Sequence, residues 1–281
     1  MTSDKGLRPS GRIQSGLVIL LAALCFAGHS SARAAPNPDL LNFGAAEFRI
    51  LDPRSGQVIG HARYTLEHAA SGDLLHGENR YFDGSYDVEK DTIEAPSPGA
   101  TPVLVGFEHL FFDPDGSPTF SERLNLKSGE ASCIRYKHDV PETLAANLDF
   151  PPDTYAGASL LIPVEYGLRG DRSDTIRLHV FACVPGPRVL EVEAQPREGA
   201  RSPSYGADVL AVDVRPTLGW WDLLIEPFLP KARAWFDPTD SFSYLGGKTE
   251  RFYRGPWVEL VREPNKENGG ALSASPLKPH D

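Results

Sequence analysis

The sequence predicts an all-β protein, a curved antiparallel sheet or half-barrel with one or two short helices on its concave side. Three observations carry that expectation. The dominant hydrophobic period is two, the connections are rich in Asp, Pro, Gly and Ser, and 25 Pro with 26 Gly in 281 residues break the chain too often for a helical bundle.

Five stretches show the period. Ala62, Tyr64 and Leu66 alternate with His61, Arg63 and Thr65, and Leu124 and Leu126 with Arg123, Asn125 and Lys127. Further on, Ile176, Leu178 and Val180 alternate with Arg177 and His179, Leu190, Val192 and Ala194 with Glu191 and Glu193, and Leu210, Val212 and Val214 with Asp213 and Arg215. Side chains alternate across a strand, so each run reads as apolar inward and polar outward. Asp52-Pro53-Arg54-Ser55-Gly56, Asp113-Pro114-Asp115-Gly116, Lys127-Ser128-Gly129 and Val184-Pro185-Gly186-Pro187 supply turns between strands. Strands joined in sequence order by such turns make a meander.

Two stretches depart from this pattern. Asp153 reads as the N-cap of a short helix running toward Leu161, interrupted at Pro163. Thr217 caps a second segment, with Leu218, Trp221, Leu224, Ile225 and Phe228 at helical spacing and Pro227 and Pro230 ending it.

The N-terminus reads as an export signal. Lys5, Arg8 and Arg12 precede an apolar run from Leu17 to Ala27, and Ala32-Arg33-Ala34 supplies the small-residue site, with cleavage expected after Ala34 or Ala35. A run of 11 residues is short of the roughly 20 that span a bilayer. Residues 1–35 are therefore expected to be a signal peptide, 36–263 one β-rich domain and 264–281 a disordered tail poor in apolar residues. The expected location is periplasmic or secreted.

Without residues 1–35 the chain carries 24 basic and 37 acidic side chains. That excess argues against nucleic acid, whose phosphates need clustered Lys and Arg. Two cysteines remain, Cys133 and Cys183, and outside the cytoplasm an even count favours one disulfide over a metal site or a reactive thiol. Two free buried thiols are the alternative. Strand parity puts Cys133 on a face with Arg135 and Lys137, and Cys183 on a face with Arg177 and His179, so both thiols are expected on the polar side.

The order of signal segment, meander, helical insertion and further strands carries several local phrases. They are Val214-Arg215-Pro216-Thr217-Leu218-Gly219-Trp220, Phe228-Leu229-Pro230-Lys231, Trp235-Phe236-Asp237-Pro238 and Arg254-Gly255-Pro256-Trp257-Val258-Glu259. Over roughly residues 45–263 the chain resembles the periplasmic lipoprotein-carrier (LolA/LolB-like) half-barrel superfamily. The resemblance implies a curved sheet, closed by helices, that holds acyl chains or hydrophobic segments and needs no cofactor.

Enzyme signals are thin. There is no His-Glu-x-x-His, no Gly-x-Ser-x-Gly, and no pair of histidines at strand or helix ligand spacing. Asp113–Gly116 and Asp237–Asp240 lack the full calcium-loop pattern and read as turns. The clustered aromatics are more specific. Trp220, Trp221, Leu224, Phe228, Trp235 and Phe236 are the candidate ligand-binding residues if the second helix lies over the concave face. The expected function is non-enzymatic binding of an apolar ligand, a lipid or acyl chain, or of an envelope partner. The alternative is a secreted hydrolase or carbohydrate-active enzyme on a β-sandwich, and a cavity bearing convergent perturbed carboxylates is the feature that would favour it.

Overall fold

The computed structural model describes residues 45–264, apart from 70–71, 96–99, 138–139, 171–174, 184–185, 198–201, 203, 206–208, 218–230 and 252–254. The export signal, the segment from Leu218 to Leu229 and nearly all of the expected tail lie outside the described residues.

The described strands form one sheet of fifteen. The first eight are β1 (Ala45–Leu51), β2 (Val58–Ala69), β3 (Gly72–Tyr81), β4 (Tyr86–Glu94), β5 (Val103–Phe112), β6 (Pro118–Asn125), β7 (Glu130–Lys137) and β8 (Val140–Asn147). A two-residue strand β9 (Thr154–Tyr155), a 3₁₀ turn (Gly157–Leu160) and helix α1 (Leu161–Gly170) follow. The chain then adds β10 (Ile176–Cys183), β11 (Pro187–Arg197), β12 (Leu210–Pro216), β13 (Ala232–Asp237), β14 (Ser243–Glu250) and β15 (Trp257–Arg262).

The order across the sheet is β8 to β1, then β15 to β9. The chain thus steps outward from β1 to one end, crosses to β9 at the other end, and steps back until β15 pairs with β1. Phe48 lies opposite Arg262 in that central pair, and the Glu263 amide donates to the Glu47 carbonyl at 2.7 Å. Every strand pair is antiparallel except β9–β10. The sheet is curved so that its two ends approach without pairing into a closed barrel. A disulfide between Cys133 on β7 and Cys183 on β10 joins those ends, with Cα atoms 5.8 Å apart.

Alternation sorts the two faces. Phe48, Ile50, Ala62, Leu75, Ile93, Leu104 and Phe107 belong to one buried core on the inner face. The outer face carries cross-strand ion pairs in high dielectric, such as Glu193 with Arg177 and Arg215, each at 3.1 Å. The expected strands around Ala62, Val192 and Val212 keep their apolar residues inside, as the period predicted.

Two expectations are corrected. Both cysteines are on the inner face, 1% and 2% exposed within the core, because the concave side of a curved sheet is buried even where the strand's other residues are polar. The first helix begins later than expected. Residues 153–155 enter as a turn and β9, and Pro163 sits in the first turn of α1, where a missing N–H breaks no helical bond.

Candidate functional site

Strand β4 reverses the usual alternation. Asp87, Glu89 and Asp91 point inward and are 1%, 4% and 0% exposed, while Val88 and Lys90 face the other way. Register aligns their neighbours. Glu89 lies between Gly77 of β3 and His109 of β5, and His109 is opposite Glu122 of β6. One inward row of three strands therefore carries Glu89, His109 and Glu122.

Hydrogen bonds tie the row together. Asn79 Nδ2 donates to Asp87 Oδ1 at 2.6 Å, and the Tyr64 hydroxyl donates to Asn79 Oδ1 at 3.4 Å. His109 Nε2 meets the same Asp87 oxygen at 2.9 Å, and its Nδ1 lies 4.0 Å from Glu89 Oε2. The 3₁₀ turn caps the row from above. Ala158 N–H donates to Glu89 Oε1 at 2.6 Å and Ser159 N–H to Asp91 Oδ2 at 3.0 Å. Gly157 makes that approach possible: its φ is +51°, and a Cβ there would lie 2.1 Å from Glu89 Oε1.

The electrostatics follow from burial. Burial pushes Asp91 well above the usual carboxylate range, and the adjacent Glu89 adds to the push. Its Oδ1 meets no N–H or O–H donor among the described residues. Glu89 is raised by burial, against the opposing pull of His109 and the Ala158 amide. Burial alone would lower His109, but the Asp87 hydrogen bond and the charges of Glu89, Asp87 and Glu122 outweigh it and hold the imidazole above its ordinary value. Burial pushes Glu122 up to about 7, with His109 opposing.

Glu89, His109 and Glu122 line a cavity of about 540 Å³ on the inner face of the curved sheet. Tyr64 and Asn79 line it with them, and Val180, Phe181, Val214, Ala234 and Leu260 supply an apolar wall from β10–β15. Ala158 and Leu160 of the 3₁₀ turn also line it. Arg251 and Tyr81 stand toward the β3–β4 and β14–β15 turns, with the guanidinium 3.5 Å from the Tyr81 ring centre and its Nη2 donating to Ser85 Oγ at 2.9 Å. The volume falls in the range of small-molecule sites, about 300–1,000 Å³.

The aromatic candidates divide. Trp220, Trp221, Leu224 and Phe228 lie outside the described residues. Phe236 is fully buried in the main core, its ring 5.8 Å from that of Tyr244, and Trp235 packs on the opposite face with Val209 and Ala211. Neither is on the cavity wall. The sequence reading missed Asp87, Glu89, Asp91, His109 and Glu122. Their signal was acids at i, i+2 and i+4 of a strand, which place three carboxyls on one face. The two acidic loops set aside as turns behave as turns: Ser117 N–H donates to Asp115 and Thr239 N–H to Asp237.

No protein-family model matches the chain, and no curated protein matches it. Among solved structures, the chain is similar to a β-barrel-like protein of domain of unknown function DUF1849 from Brucella abortus. The two share 11% identity over 78% of this chain and 94% of that one, with a TM-score of 0.43. No helix among the described residues is long and apolar enough to cross a membrane.

Proposed function

We propose that this is an exported, non-enzymatic envelope protein that holds an apolar ligand, a lipid or acyl chain, inside the curved sheet, as the resemblance to lipoprotein carriers implies. The cavity of about 540 Å³ with one apolar wall carries the reading. The inner-face disulfide fits an oxidising compartment. Trp220, Trp221, Leu224 and Phe228 are proposed to contribute contacts, since the strands that flank them bring Val214 and Ala232 to the cavity wall.

Two experiments test this. Native mass spectrometry of protein purified from its own envelope should show a co-purified lipid. The neutral reporter N-phenyl-1-naphthylamine should bind the folded chain, and Ala234→Trp, which fills the apolar wall, should block it while the fold persists. A folded wild type that binds no reporter and carries no lipid overturns the proposal.

A second reading, a hydrolase, is favoured by one observation: His109 stands between Glu89 and Glu122, both carboxyls raised by burial, on a cavity wall. Turnover of chromogenic glycosides or esters that disappears in Glu122→Gln would establish that reading instead.

A further inference from the structure

The cavity's lining carries charges of both signs, Glu89, Glu122 and Glu250 with His109, Arg233, Lys248 and Arg251. Of these, Arg233 donates to Asp213 at 2.6 Å and Lys248 stands over the Trp257 ring. His109 is committed to Asp87 by a hydrogen bond and stands nearest to Glu89 after that. Glu89 and Asp91 each accept a backbone amide of the 3₁₀ turn. Arg251 is held on the Tyr81 ring and Ser85, with Asp83 as its nearby acid.

Glu122 is left over. Among the described residues no donor lies within hydrogen-bond distance of its carboxyl, and no cation within ion-pair distance. The side chain is half-buried and lines the cavity. An ionised carboxylate so placed demands a cation, because an unpaired charge in a low-dielectric site is costly. Aromatic faces add to the same preference: Phe111 and Phe181 line the cavity. Val180, Phe181, Val214, Ala234 and Leu260 on β10–β15 offer apolar contact to whatever that cation is attached to.

We infer that the ligand is a cationic amphiphile, an alkyl chain against the β10–β15 wall with a protonated amine at Glu122. The inference rests on the cavity-binding reading and gives it a polarity. A lone carboxylate with aromatic neighbours suits an organic ammonium, which needs one counter-charge and a π face, better than a metal ion, which needs several ligands.

The test is competition against N-phenyl-1-naphthylamine at pH 8.5 on the full chain, with dodecylammonium, dodecanol and dodecanoate below micelle formation. Dodecylammonium should displace the reporter at a concentration at least tenfold lower than dodecanol, with dodecanoate the weakest. Glu122→Gln should bring dodecylammonium to within about threefold of dodecanol. Glu108→Gln removes the same charge from the outer face of β5, where Glu108 pairs with Arg123, and should keep the preference. Equal displacement by dodecylammonium and dodecanol in the wild type, a preference for dodecanoate, or a preference that survives Glu122→Gln each overturns the inference and leaves the binding reading standing. Failure of the reporter to bind at all overturns both.

Discussion

Cys133 and Cys183 are 50 residues apart in the chain and 5.8 Å apart between Cα atoms, on strands that each stand second from one end of the fifteen-strand order. Sheet hydrogen bonds do not join those ends, so the covalent bond spans the gap. A loop of that length gives a chain-entropy stabilisation of roughly 4 kcal/mol. Replacing both cysteines by alanine should lower urea stability by about that amount. An unchanged urea midpoint would show that non-covalent contacts alone hold the ends, and free alkylation of both thiols in the untreated protein would show no bond.

Glu122 makes stability depend on pH in the direction opposite to a salt-bridged carboxylate. Its folded value of about 7 exceeds its reference value of 4.5, so the folded state binds more protons between those limits. Stability is fully retained below about pH 4.5 and lost progressively as pH rises through 7. The gap corresponds to roughly 3 kcal/mol at most. Glu122→Gln should therefore stabilise the protein at pH 8.5 and leave it little changed at pH 4.5. Equal melting shifts at the two pH values would refute the assignment.

Gly157→Ala should destabilise by about 2–3 kcal/mol, because the site combines a positive φ with a Cβ position already occupied by Glu89. The displaced turn also loses the Ala158 amide bond to Glu89, so exchange of that amide should accelerate. An unaltered exchange rate with unaltered stability would refute the clamp.

Phe236 and Trp235 should separate by packing, though neither touches the cavity. Phe236→Ala truncates a fully buried core ring and should cost about 3–5 kcal/mol in thermal or urea unfolding. Trp235→Phe trims a side chain whose buried Nε1 meets no acceptor among the described residues, so lost area and a relieved N–H nearly offset. Its stability should change by less than about 1 kcal/mol, and reporter affinity by less than threefold. A large loss of reporter binding in Trp235→Phe would put this ring at the ligand.

Alternation told which residues share a face, and for β2, β11 and β12 that was enough, because their apolar set marks the inside. It did not tell which face encloses a cavity. Asp87, Glu89 and Asp91 share a face as plainly as Val212 and Val214 do, but polar groups around a cavity turn inward, so the habit of reading acids as solvated hid the site. The same habit placed the cysteines outside. Parity was right, and the side was wrong, because burial of a concave face comes from curvature and not from the strand's own composition. The 3₁₀ turn that completes the site has no periodicity of its own. Only Gly157, at the one position where glycine is required, marks it in the sequence.

The outward-and-back path of the chain has a kinetic consequence. Nearly every strand pair joins neighbours in sequence and closes through a short connection, while β1 must find β15 across some 200 residues. Loop-closure entropy grows slowly with length but has to be met before such a pairing returns anything. Two meanders, β1–β8 and β10–β15, are thus the natural early structures, each able to form without the other. Their joining at the central seam and the oxidation that links their far ends are late, independent events, and a chain caught between them exposes the inner face of both halves at once.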